Sequence, residues 1–158
     1  MTAKIREALP EDRPALIRLM GALNAFEAEI EENRAGPEAA ESHLAWVAGQ
    51  IAELGGVTLV AEQGGAVTGF LSYTFEEDPG TFVKPEHRRH ALIWDISVAE
   101  EARGQGIGQA LLSAAEKAAR AAGIAEIRLY VLEANVRARR IYEEAGYRNY
   151  ERFLSKRL

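Results

Sequence analysis

An α/β fold built on a mixed sheet is the class this sequence predicts, and three observations predict it. Alternating apolar segments, "VTLVAE" and "AVTGFLSYTF", flank "QGG", the pattern of an antiparallel hairpin closed by a glycine turn. After Ala91, strand-like runs alternate with amphipathic helical stretches, which implies crossover connections. The 158 residues, 47% hydrophobic and 27% charged, suit one globular domain with a core large enough to fold alone.

Each element follows in order. "KIREAL" alternates as a short strand, and "PED" starts a helix. Leu16, Ile17, Leu19, Met20 and Leu23 recur at helical spacing, predicting a helix from Arg13 to about Phe26. A second helix is expected from about Pro37 to Leu54, with Leu44, Val47, Ile51 and Leu54 inward, stopped by Gly55 and Gly56. The hairpin comes next, then a polar, proline-broken loop from Glu76 to His90. "ALIWDISV" reads as a buried strand, and "AEEARGQG" leads to a helix from about Ile107 to Ala122, closed by Gly123. "EIRLYVL" is another strand. "NVRARRIYEEAG" is a short helix begun by Asn135 and ended by Gly146. "YRNYERFLSKRL" is expected to supply a final strand.

Bulk properties exclude several functions. The chain has no cysteine, so thiolate metal sites and cysteine nucleophiles are absent. Neither a membrane-length apolar run nor the apolar core of a signal peptide is present, so a cytoplasmic location without membrane contact is expected. A net charge of −5 argues against general nucleic-acid binding. That charge is uneven: residues 1–90 carry 8 Lys/Arg against 15 Asp/Glu, and residues 91–158 carry 11 against 9. His43, His87 and His90 lack metal-ligand spacing, so no metal is expected.

The stretch "EEARGQGIGQALL" carries the strongest signal. It is no P-loop, because no lysine follows the glycines, and this also weighs against a nucleotide-binding regulator. It is no dinucleotide fingerprint either, because Gly104, Gly106 and Gly108 alternate as G-x-G-x-G. What remains is a strand, an arginine, alternating glycines and a helix start. Such glycines let successive N–H groups converge, and the helix end adds its positive pole, which together make an anion cradle. A tight strand-to-helix turn with no ligand would use the same residues.

Arg103-x-x-Gly106-x-Gly108 after "ISVAEEA" resembles the signature of the GNAT-type N-acetyltransferases. A second signature of that family, an asparagine followed seven residues later by a tyrosine, is similar to Asn135 and Tyr142 in "NVRARRIYEEAGY". The resemblance spans essentially the whole chain, weakly before Val57 and strongly from Ala91. It implies a single mixed, mostly antiparallel sheet flanked by about four helices, and one N-acetyltransferase domain over residues 1–158.

The resemblance also implies acetyl-CoA (coenzyme A) as donor and direct attack by a primary amine in a ternary complex. Cofactor contacts would then come from Ile96, Ser97 and Val98 on the strand and from Arg103, Gly104, Gln105, Gly106, Ile107, Gly108 and Gln109 in the cradle. Asn135 and Tyr142 complete that set. Val98 would offer its N–H to the thioester carbonyl, and Tyr142 would protonate the leaving thiolate, a phenol of pKa ~10 being protonated at neutral pH. Where some relatives carry a basic glutamate, Tyr130 stands here. Asp95 is therefore the leading catalytic or substrate-contacting carboxylate, and Glu133 a more distant candidate. A branch acting on polyamines and small amines has an aspartate at that place beside an acidic neighbour, which here is Trp94.

The acceptor groove implied by the family corresponds to about Asn24–Pro37 and Glu76–His90. The first holds Glu27, Glu29, Glu31 and Glu32; the second holds Glu76, Glu77, Asp78, Lys84, Arg88, Arg89 and His90. Tyr73, Phe75, Phe82 and Trp94 are candidate aromatic walls. A small-molecule amine, amino acid or polyamine is the expected acceptor, with a protein amine a further option, and an exposed final strand would allow a homodimer. The alternative on the same fold is a non-catalytic acyl-CoA-binding module.

Overall fold

The computed structural model describes residues 2–158. Its strands are β1 (Lys4–Glu7), β2 (Gly56–Gln63), β3 (Ala66–Glu77), β4 (Arg89–Val98) and β5 (Ile127–Leu129). Its helices are α1 (Arg13–Ile30), α2 (Ala40–Leu54), the single turn α3 (Pro85–Arg88), α4 (Ile107–Ala121) and α5 (Val136–Glu144). The strands form one sheet in the order β1-β2-β3-β4-β5. Every pairing is antiparallel except β4 with β5, which is parallel. The mixed, mostly antiparallel sheet is thus as expected.

Alternation along β4 assigns the helices to faces. Ser97 Oγ donates to Leu19 O of α1 at 3.1 Å, whereas Val98 lies against the start of α4, its Cγ2 4.0 Å from where a Cβ on Gly108 would sit. Hence α1 and α2 cover one face and α4 the other. Leu19 and Met20 from α1, Phe70 and Leu71 from β3, and Leu111 and Leu112 from α4 are almost fully buried. Each such side chain contributes about 1.5–3 kcal/mol on burial.

Several boundaries differ from expectation. α1 continues to Ile30, because Glu27 and Glu29 are adequate helix formers and no breaker precedes Gly36-Pro37. Residues Pro37–Ala39 form a 3₁₀ turn ahead of α2, and Leu54, expected inward, is 40% exposed on its last turn. The polar loop contains α3, started by Pro85 at the first helical position. β5 is only three residues long, so "EIRLYVL" is mostly not strand.

The expected final strand is absent: residues 147–158 carry no regular structure. Phe153 and Leu154 are adjacent and exposed, so the alternation a half-buried strand needs is broken, and basic residues surround them. The segment is held instead by side chains. Arg128 lies 4.9 Å above the Tyr150 ring, and Arg157 pairs with Glu32 at 2.8 Å.

Candidate active site

The site begins where two parallel strands part. β4 and β5 pair only at Ala91↔Ile127, Leu92↔Arg128 and Ile93↔Leu129. Residues 95–98 of β4 pair with β3 alone. Trp94 is an extra residue on β4, because Ser72 faces Asp95 while the adjacent Tyr73 faces Ile93. Ala99 N–H donates to Thr68 O at 2.8 Å, so by alternation the backbone groups of Val98 and Ile96 turn away from β3 toward the gap. The cavity there is walled by Ile93–Ile96 on one side, by Leu129–Leu132 on the other, and by Leu23, Glu27, Asn135, Ala138 and Tyr142.

Directly after this stretch the chain makes the glycine turn. Gly104 and Gly106 have φ of 74° and 78°, left-handed values that an L side chain adopts at a cost of about 1–2 kcal/mol. Gly106 is the N-cap of α4. Arg103 Nε donates to Val98 O at 3.2 Å and braces the loop against the strand end. Among the described residues, no acceptor is found for the backbone N–H groups of residues 104–109. The first turn of α4 carries no acidic side chain that would occupy its positive end. A Cβ at Gly104 or Gly106 would meet nothing within 4 Å, so the space beside the loop is open.

The opposite wall is made of side chains. Asp95 is buried on β4, and its Oδ1 lies 3.3 Å from His43 Nε2 on α2. The other imidazole nitrogen, Nδ1, lies 3.2 Å from Asn24 Oδ1, buried on α1. Asp95 raises the His43 pKa above its ordinary value, chiefly through this hydrogen bond, with partial burial opposing it. Asp95 Oδ2 is buried without a hydrogen-bond partner, a state that costs about 1–3 kcal/mol or more. Glu27 enters the same cavity, its carboxyl pushed up chiefly by burial.

Tyr142 faces these carboxylates from α5. Burial first, then the charges of Glu27 and Asp95, push its phenol up to about 12, so it stays protonated through the neutral range. Asn135 fixes the helix that carries it: its Oδ1 accepts from Ala138 N–H at 3.0 Å as the N-cap of α5. Trp94 closes one side of the cavity, donating Nε1–H to Thr74 Oγ1 at 2.8 Å and meeting Trp46 edge-on at 4.9 Å.

A strand gap, a glycine cradle and a capped tyrosine helix invite comparison with known proteins. The sequence profile of the acetyltransferase (GNAT) family matches residues 22–147. The chain belongs to the GNAT family. A Bacillus subtilis protein, the uncharacterized N-acetyltransferase YycN, is 37% identical over 76 residues. That match spans 48% of this chain and 49% of YycN, so the chain aligns with about half the length of this relative. Among solved structures, a protein of Pyrococcus furiosus described as an acetyl transferase is 25% identical, with TM-score 0.77 and 99% of each chain covered. A predicted acetyltransferase of Clostridium acetobutylicum, determined with acetyl-CoA, superimposes with TM-score 0.74 at 19% identity, covering 98% of this chain and 96% of that one. The GNAT family is one of N-acetyltransferases that use acetyl-CoA as donor.

Within this GNAT chain, Asp95, Ile96, Asn135 and Tyr142 line one cavity. Ser97 directs its hydroxyl to α1, so only its backbone can serve the gap. Ile107 is buried in the core, and Gln105 is exposed, bonding Glu101 O and Gln63. Gln109 lines a separate groove between α4 and Ala145. Glu133 pairs with Arg139 at 3.0 Å and is not a wall of the cavity.

Of the expected acceptor segments, the first contributes Glu27. The loop from Glu76 to His90 contributes none of its charges to that wall, and Asp78 is instead bound to Arg128 at 2.9 Å. Tyr73 is buried, Phe75 packs against it in the core at 5.5 Å and Phe82 is fully exposed, which leaves Trp94 as the expected aromatic that lines the cavity. Sequence reasoning missed His43 and Asn24, whose partners are distant in sequence.

Proposed function

We propose that the protein is an acetyl-CoA-dependent N-acetyltransferase, a single domain over residues 1–158, acting on a primary amine by direct attack in a ternary complex. The observation that carries this reading is the row of unpartnered N–H groups at residues 104–109, lying directly after the part of β4 that faces the gap. A pyrophosphate suits that row, because it offers several anionic acceptors to convergent donors. The Clostridium acetobutylicum relative, determined with acetyl-CoA, supports the same donor.

In this reading Arg103, Gly104, Gln105, Gly106, Ile107, Gly108 and Gln109 hold the diphosphate, mainly through backbone. Ile96, Ser97 and Val98 offer backbone groups to the pantetheine arm. Acetyl-CoA supplies an acetyl thioester whose carbon–sulfur bond breaks as the amine nitrogen bonds to the acetyl carbon. Val98 N–H stabilises negative charge on the carbonyl oxygen. Tyr142 gives its phenolic proton to the sulfur and regains one from the nitrogen, which must shed a proton to become an amide. Asn135 positions that tyrosine and contacts the cofactor. Asp95 serves the acceptor side.

The acceptor is a small amine, amino acid, polyamine or protein amine. Glu27 and Asp95 in one cavity favour a cationic form on arrival. Calorimetry with CoA against ATP, followed by a thiol-release assay over an amine panel, tests the reading. Preferential CoA binding with thiol release for some amine is expected. Preference for ATP would contradict it, and tight CoA binding with no turnover would return the protein to the class of acyl-CoA-binding modules.

A further inference from the structure

Behind the proposed acceptor wall lies a chain of polar side chains that crosses three elements. Asn24 of α1, His43 of α2 and Asp95 of β4 are joined through 3.2 Å and 3.3 Å contacts. Asn24 and Asp95 are both more than nine-tenths buried. With Asn24 Oδ1 accepting from Nδ1–H, the nitrogen left to exchange a proton with Asp95 is Nε2. At the far end of the chain, Asp95 Oδ2 has no partner, although Asp95 is a wall of the cavity that also holds Tyr142. A buried carboxylate oxygen without a partner, on a residue that walls the cavity, calls for a donor, and an ammonium is a donor with three N–H bonds.

We infer that Asp95 and His43 form the proton-accepting pair for the acceptor amine, with Asp95 Oδ2 as the contact atom and His43 as the proton store behind it. This rests on the proposed acetyl transfer to an amine. One N–H bond of R–NH3+ breaks, its electron pair stays on nitrogen, and the proton passes to Asp95 Oδ2. Turning of the protonated Asp95 carboxyl then delivers that same proton to Nε2 of neutral His43, leaving an imidazolium beside a carboxylate. The neutral amine is then the nucleophile, and His43 returns its proton to solvent after turnover. Tyr142 acts at the sulfur and takes no part in this step.

The pair supplies the base that Tyr130, 86% exposed, does not. It also predicts a direction with pH. The charged groups facing His43 are Asp95 from β4, Glu27 from α1 and Arg34 beyond α1. The two carboxylates raise its pKa and Arg34 lowers it, for a net rise. Below that raised pKa His43 already holds its proton and cannot take another. Activity therefore climbs as pH rises through a value above that of an ordinary histidine.

The test pairs kcat/KM pH profiles with NMR titration of His43 in the free protein, for wild type, His43→Gln and Asp95→Asn. Wild type should show the ascending limb at the pKa that NMR assigns to His43. Asp95→Asn should lower that pKa, an effect visible without turnover. His43→Gln should lose about 10²-fold in kcat/KM, lose the limb, and keep its CoA affinity and melting temperature. A His43→Gln enzyme with wild-type rate and pH profile would overturn the pair while leaving acetyl transfer intact. So would a His43 pKa unmoved by Asp95→Asn. Absence of turnover in the wild type with every amine would overturn the underlying reading, and the pair with it.

Discussion

The two walls of the site are made of different material. On the side proposed for the cofactor, residues 104–109 present backbone N–H groups, two left-handed glycines and a helix end, with no buried side-chain charge. On the side proposed for the acceptor, Glu27, Asp95 and Tyr142 present side chains from α1, β4 and α5, with His43 of α2 and Asn24 of α1 behind Asp95. A wall of backbone recognises one constant ligand and tolerates exchange of side chains, provided the turn conformation survives. Every atom that matters in a wall of side chains can be altered by a single substitution. Acceptor choice is therefore expected to vary where the donor site does not.

Substitutions can break that contrast, and the largest effect belongs to the side-chain wall. Tyr142→Phe removes one oxygen and should lower kcat by about 10²-fold or more with little change in CoA affinity, read by steady-state kinetics beside calorimetry. An equal loss in affinity would mean that the phenol holds the cofactor rather than protonating its sulfur. The phenol also sets a pH expectation: with its pKa near 12, no basic limb from Tyr142 should appear below pH 11.

Next comes Gly106→Ala. At φ 78° the added Cβ meets no neighbour, so its whole cost is conformational, about 1–2 kcal/mol. The loop can relieve that cost only by giving up the turn, so CoA affinity should fall about tenfold with turnover at saturation little changed. The smallest effect is expected at Gln105→Ala, in the same loop. Its side chain is exposed, so CoA binding should shift by no more than about 0.5 kcal/mol. If Gln105→Ala weakened CoA as much as Gly106→Ala, the cradle would be reading side chains after all.

The same contrast governs what could be read from the sequence. The turn proposed as the cradle was legible because its features are local: glycines where φ is positive and a helix at once behind them. Asn135 and Tyr142 were legible for the same reason, since one helix fixes both the cap and the residue two turns on. His43 was not, because nothing near it in sequence announces that α2 will carry it to β4. Of the acidic run after Asn24, Glu27 alone lines the cavity, a distinction set by the rotation of α1.

The last two strands show the limits of pattern. Residues 126–132 have strand composition throughout, but pairing stops at Leu129 because the partner strand departs there. Composition cannot report where a neighbour leaves. The C-terminal segment has strand-forming residues without strand alternation, and Phe153 beside Leu154 outweighs the propensity.

The most direct measurement is a titration of 15N-labelled protein with coenzyme A, following individual backbone amides. The amide signals of Gly104, Gln105, Gly106, Ile107, Gly108 and Val98 should move together and saturate at one affinity, while those of β1 and β2 stay still. Binding that left the loop amides unmoved and shifted another surface would contradict the account at its root.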